Sequence, residues 1–225
     1  MCGRYTLRRI DAARLGVTFV EPTFDEFTDR PRFNVAPSQA VAVVRLNRDG
    51  KPAMGAVRWG LVPHWAKEPP KVRPINARAE TVGSSGMFRQ AFARRRCLVL
   101  ADGFYEWRRD GTAKQPHFIR FPDDRVFAFA GVWERWRERE GDDPLDTVAV
   151  VTTTPNAVMA PIHDRMPVIL RPDDHAAWLD KETSSGNAAA LLRPYADGEL
   201  VASPVDRLVN SPKNDGPDCL RPAAK

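Results

Sequence analysis

The apolar residues of this 225-residue chain fall in short runs, not in long periodic stretches, and their spacing predicts the elements. Runs rich in β-branched and aromatic residues at 3–7, 41–46, 53–61, 97–101, 117–121, 126–133, 147–153 and 168–170 predict strands. Helical spacing fits 9–15, 87–92, 155–160, 173–179 and 187–195, with Asp173 as the N-cap of the fourth. Strands outnumber helices and the two do not alternate as βαβ units. The expected fold class is therefore α+β, with a largely antiparallel, curved or barrel-like sheet and short flanking helices. The 20 prolines are scattered as loop punctuation, with no repeat or low-complexity tract, so a single domain over 1–225 is expected. Residues 211–225 read as an irregular tail whose last residues are mobile.

Composition narrows the class. At 43% hydrophobic and 28% charged residues with six Trp, the chain has too much apolar material for disorder. No apolar run approaches the ~18–20 residues that span a bilayer, and no apolar signal core follows the start, so a cytoplasmic or nucleoid-associated protein without membrane contact is expected. Cys2, Cys97 and Cys219 are odd in number and lack ligand spacing, which argues against a disulfide framework or a zinc site and for reduced thiols. Net charge is +5, but residues 45–109 hold 14 Lys and Arg against five acids. That stretch is either a solvated surface, with Arg94, Arg95 and Arg96 capping a helix, or a phosphate-binding face.

Cys2 is the first chemical signal. If Met1 is removed, as a small second side chain favours, residue 2 becomes a 1,2-aminothiol. An aldehyde condenses with its amine to a Schiff base, and the thiol closes that into a five-membered thiazolidine. The α-amine ionises near 7.7–8.0 and a thiol near 8.5, so roughly neutral pH needs little activation of either. The bland alternative is a small residue at a strand start. Three further stretches, "PINARAE", "ADGFYEW" and "PIHDRMPVIL", set polar groups beside turn formers and apolar runs. Glu106, between Tyr105 and Trp107, suits a proton-shuttling carboxyl of raised pKa, or an outward strand carboxylate. His163 is a general acid or base near neutrality, or a structural imidazole. Asn76 orients amine or substrate, or stabilises a turn.

Taken together these segments, with "MCGRYTL", "RFNVAPSQ", "RWGLVPHWAKEP", "CLVLADGFYEW", "KQPHFIRF", "TTTPNAVMAPIHDRMPVIL" and "VNSPKND", resemble the SRAP (SOS response-associated peptidase-like) family over nearly the whole chain. Members of that family crosslink covalently to abasic sites in single-stranded DNA. The resemblance implies the SRAP fold, a catalytic set of Cys2, Asn76, Glu106 and His163, no metal or organic cofactor, and abasic single-stranded DNA as partner, at plain strands or at junctions with duplex. It implies a monomer with a self-processing peptidase activity that releases Met1, and lyase-type chemistry diverted by the thiol. Glu106 and His163 would exchange protons with the sugar while Asn76 holds the amine. An abasic site has no base to read, so phosphates must hold the strand. Arg4, Arg78 and Arg165 are the expected phosphate ligands beside the reactive motifs, with Asn34, Pro37 and Trp65 along the strand path and Gly3 also expected to contact DNA. Trp65 stacks on a base or wedges a duplex end, or is a core aromatic; Trp59, Trp107 and Trp133 are expected in the core. Lys67, Lys71, Arg73 and Met166 carry no assignment.

Two other classes compete. An N-terminal-nucleophile glutamine amidotransferase also begins Met-Cys-Gly, but no motif beyond Cys2 and Gly3 supplies its amino-acid grip or oxyanion hole. A non-catalytic single-strand binding module accounts for the basic stretch and leaves Cys2, Glu106 and His163 without a task.

Overall fold

The computed structural model describes residues 2–9, 30–111 and 113–224. Five strands close a barrel: β3 (Ala40–Leu46), β4 (Pro52–Trp59), β6 (Arg96–Ala101), β9 (Phe127–Trp136) and β10 (Leu145–Thr153) run in the order β10-β4-β3-β6-β9, and β9 pairs back onto β10. Three short strands extend it. β5 (Asn76–Arg78) and β11 (Met166–Pro167) lie on β10, and β12 (Ile169–Leu170) lies on β9. A second, antiparallel sheet has the order β13-β8-β7-β1-β2, formed by β1 (Tyr5–Leu7), β2 (Arg32–Val35), β7 (Gly103–Asp110), β8 (Ala113–Arg120) and β13 (Val201–Pro204). The α+β, barrel-like expectation holds, and pairing is antiparallel except for β10 with β4 and β5. Closure removes the barrel's free edges, the usual liability of an all-strand core. Its strands are buried almost end to end, which is why they read as unbroken apolar runs. Among the described residues no helix is long and apolar enough to cross a membrane.

Chain direction switches from barrel to second sheet at Asp102, between β6 and β7. Its buried carboxylate accepts from Thr6 Oγ1 (2.5 Å) and from the Arg8 backbone N–H (2.8 Å) and Nε (3.1 Å), so the switch is fully bonded. Gly103 follows because a Cβ there would lie 2.3 Å from the Phe118 ring and 3.0 Å from Thr6 Oγ1. Phe118 is itself held against Tyr105, ring centroids 5.1 Å apart. Gly103→Ala is therefore expected to cost about 2 kcal/mol, lowering Tm by about 6 °C. Thermal unfolding followed by circular dichroism checks it.

The helices depart most from expectation. The run at 87–92 folds as α1 (Arg89–Arg94), two residues later. Residues 155–160 form turns instead of a helix, pinned by bonds from the Met159 and Ala160 N–H groups to Asn156 O. Asp173 is not a cap: it sits inside a 3₁₀ turn (Pro172–Asp174) that runs into α2 (His175–Leu179), and no side chain caps either. In place of 187–195, α3 spans Ser185–Ala190, because Ser184 caps the Asn187 N–H and Pro194 disfavours helical Arg193. The helix expected at 9–15 lies, beyond Arg9, outside the described residues. The tail is irregular except for a 3₁₀ turn (Pro217–Leu220), but as far as residue 224 it is docked. Cys219 is buried with Tyr105, Phe118, Val205 and Val209 in a small second core, and the Ala223 N–H donates to Pro204 O.

Candidate active site

β1 lies between β7 and β2 in the second sheet, and the residues before it continue along β7, where the Tyr105 N–H donates to Arg4 O at 3.0 Å. This brings Cys2 beside Glu106. The Cys2 side chain is fully buried, and Glu106 is 2% exposed. Asn76, the first residue of β5, donates its Nδ2–H to Cys2 O at 2.9 Å; β5 is held there by its parallel pairing with Val150–Thr152 of β10. Glu106 and His163 line one cleft of about 410 Å³, together with Trp107, Arg109, Lys114 and Asn210. His163 arrives on the turn after Asn156, its backbone N–H bonded to Met159 O.

Two electrostatic facts define the site. Burial first, then the Glu106 carboxylate, push the Cys2 thiol above the ordinary range, opposed in part by a hydrogen bond from the Arg4 backbone. The thiol is thus a neutral S–H at physiological pH with a carboxylate beside it. His163 Nδ1 lies 3.0 Å from the Arg165 N–H and 2.8 Å from Asp164 Oδ1. One nitrogen cannot accept from the first and donate to the second. The Arg165 backbone N–H donates to Nδ1, and the exposed Asp164 carboxylate stands beside the same nitrogen.

Thiol burial extends beyond Cys2. Cys97 is pushed up to about 12 by its burial, and Cys219 is raised too. The unfolded chain releases these protons above the ordinary thiol value of about 8.5 while the folded chain keeps them, so stability falls as pH rises from there, by up to about 1.4 kcal/mol per unit for each thiol. Urea midpoints between about pH 8.5 and 10 are expected to decline, and Cys97→Ala to flatten the decline.

The expected strand-binding residues divide. Arg78 is exposed at the end of β5, level with Thr152. Arg165 is adjacent, giving Nη2 to Thr152 O (2.6 Å) and a bidentate fork to Glu80 (2.5 and 2.9 Å), which holds the Glu80 carboxyl below its ordinary range. Gly3 and Pro37 are partly exposed, and Trp65 is 58% exposed, so it is not a core aromatic. Pro37 lines a second cleft with Lys71 and Arg73, whereas Met166 is buried and its sulfur accepts the Asn156 N–H. Asn34 is fully buried: it accepts from Arg4 Nη1 (2.8 Å) and donates to the carbonyls of Val209, Ser211 and Asn214. Here it clamps a loop and does not face a ligand. Arg4 adds bonds to the carbonyls of Val209 (2.5 Å) and Asn210 (3.2 Å).

Of the tryptophans expected in the core, only Trp59 is fully buried. Trp133 is half-buried under Arg45. Trp107 is on the cleft wall, its Nε1–H on Asn210 Oδ1 (2.7 Å) and the Arg4 guanidinium 5.9 Å from its ring. The "WRRD" charges after it mark where β7 leaves the core. Asn210 carried no such sign, because more than 200 residues separate it from the Arg4 that fixes its loop.

These features define a class: an α+β barrel protein with a buried cysteine near its start, an amide on that cysteine's carbonyl, and a carboxylate and an imidazole sharing the adjoining cleft. The chain belongs to the SOS response associated peptidase (SRAP) family, which it matches over residues 1–212. It is 41% identical over 223 residues to the abasic site processing protein YoqW of Bacillus subtilis, covering 98% of this chain and 99% of that one. It is 32% identical over 230 residues to the abasic site processing protein YedK of Escherichia coli, covering 99% and 100%. A solved structure of a Bacteroides thetaiotaomicron protein shares the fold at a TM-score of 0.85, with 24% identity and coverage of 99% and 100%.

Proposed function

We propose that this protein captures abasic sites in single-stranded DNA as a thiazolidine at Cys2 once Met1 is removed. One observation carries the reading: Cys2, its carbonyl held by Asn76, sets its thiol beside the Glu106 carboxylate, which lines one cleft with His163. The names of the relatives, abasic site processing proteins, support the substrate.

The steps balance within the chain's own groups. The open sugar aldehyde adds the Cys2 amine to give a carbinolamine. Glu106 and His163 move the protons that let hydroxide leave as water, forming a Schiff base. The Cys2 sulfur then adds to the imine carbon, and its proton passes through Glu106 to the nitrogen. One water is lost overall, and the strand is spared the β-elimination that a persisting Schiff base invites. Fixing amine and aldehyde together contributes on the order of 7 kcal/mol or more. Arg78 and Arg165 hold flanking phosphates, Arg165 exchanging Glu80 for phosphate, with Gly3, Pro37 and Trp65 along the strand. Arg4 and Asn34 shape the Asn210 loop, and residues 1–225 act as one monomeric domain in the nucleoid. Release of Met1 by the same groups is the associated peptidase step.

A neutral, upshifted thiol disfavours the amidotransferase alternative, whose attack needs a thiolate. It suits addition to a cationic imine, where the thiol sheds its proton to a neighbouring base. The test is to mix Met-processed protein with an oligonucleotide bearing one abasic site, denature, and weigh the product. Protein plus oligonucleotide less one water supports the reading. A free N-terminal amine with no adduct sinks it.

A further inference from the structure

The basic stretch at 45–109 does not gather at the Cys2 cleft. Arg45, Arg48, Arg94, Arg95, Arg135 and Lys181 instead line a cleft of about 520 Å³, with Trp133 in its wall and no acidic residue in its lining. It is built where β3 ends and β4 begins, beside the start of β6 and the end of β9. Asp146, which holds Arg45 (2.6 Å) and Arg135 (2.7 Å), stands on β10 four residues before Val150, the partner of Asn76, and six before Thr152, the partner of Arg78. At about 3.3 Å per residue the two sites lie ~13–20 Å apart along that strand.

Charge in this cleft exceeds its internal compensation. Asp146 serves Arg45 and Arg135, and Glu134 serves Arg95 (2.8 Å). The side chains of Arg48, Arg94 and Lys181 make no hydrogen bond or ion pair among the described residues, and all three residues are exposed. Arg45 Nη1 and Arg95 Nε are buried donors without a hydrogen-bond partner in the protein, so each has capacity left for an acceptor from water or a ligand. The Arg45 guanidinium is 4.1 Å from the Trp133 ring centroid, which fixes its fork in place. Arg96 is spent on structure, bonded to the carbonyls of Phe92, Trp178, Asp180 and Thr183. A planar, pre-set arginine beside a row of free cations suits a repeating phosphate more than one small anion.

We propose that this cleft binds the phosphate backbone of nucleic acid, as a second contact remote from Cys2. Bridging the two sites takes about four to six nucleotides at ~3.4 Å of duplex rise each, so DNA can reach the cleft only beyond the segment that occupies the first. The binding needs no abasic site, so it stands or falls apart from the crosslinking chemistry.

The test is fluorescence anisotropy with an unmodified single strand of about 30 nucleotides and with the matching duplex, over about 50 to 200 mM salt. The triple variant Arg48→Ser, Arg94→Ser, Lys181→Ser removes three exposed cations that hold nothing in the fold. Its log–log salt slope on the single strand is expected to be shallower by about 2, at ~0.7 per lost phosphate contact, with affinity at least about tenfold weaker at low salt. A loss confined to the single strand makes the cleft a continuation of the strand path; an equal loss on the duplex makes it a seat for a paired flank. An unchanged slope on both DNAs overturns the proposal. So does displacement of the DNA by millimolar inorganic phosphate at constant ionic strength, which marks a free-anion site.

Discussion

Cys2→Ala is expected to bind an abasic single strand with an affinity within about tenfold of the parent, less than ~1.4 kcal/mol, and to leave no adduct that survives heat and denaturant. The alanine variant keeps an α-amine after Met1 removal, so the Schiff base still forms. It lacks the sulfur that closes the ring. The imine therefore hydrolyses back or loses its neighbouring proton, and strand cleavage at the abasic site should rise while the adduct disappears. Borohydride should trap a reduced adduct with Cys2→Ala, whereas the parent's thiazolidine needs no reductant. Denaturing gels with and without borohydride separate the outcomes. A heat-stable adduct from Cys2→Ala would mean that another nucleophile captures the aldehyde. Equal function in both proteins would return the chain to the binding-module reading, in which Cys2 is only a buried small residue of the core.

Which parts of this were legible beforehand follows from the range of the forces involved. Barrel strands such as 97–101 and 147–153 were readable because burial on both faces writes an apolar run into the sequence itself. β5 and β13, three and four residues long, have no such run and exist only because β10 and β8 offer them hydrogen bonds. The helix expected at 155–160 failed because Asn156 uses its side-chain oxygen to bond the Met159 N–H locally, tightening a turn where a helix would continue. At the site, Cys2, Asn76, Glu106 and His163 were recognisable as a set, from motifs that each mean little alone. The partners that set their surroundings were not. Glu80 occupies the Arg165 fork, and Asn34 reaches across to the 209–214 loop, through contacts that no local pattern encodes. Nor does a count of charges say that one basic stretch divides among three clefts.

Glu106→Gln is the second large effect, and it separates two ways in which a carboxylate beside a thiol can matter. The Glu106 charge raises the Cys2 thiol, so the amide variant lowers it toward the ordinary value and increases the thiolate fraction at any pH. If the reaction were limited by thiolate supply, as in a nucleophilic hydrolase, Glu106→Gln would be faster than the parent. If Glu106 carries protons from the carbinolamine and the thiol, the variant loses its relay, and adduct formation slows by about 10²–10⁴-fold. We expect the slower result, with stability unchanged or slightly raised because one buried negative charge is gone. Single-turnover crosslinking rates against an abasic oligonucleotide, measured from about pH 6 to 9, distinguish the two. Adding His163→Gln to Glu106→Gln should cost much less than the two single losses combined, because groups on one proton path fail together. Full additivity would assign His163 to a separate step, leaving the carboxylate alone with the thiol's proton.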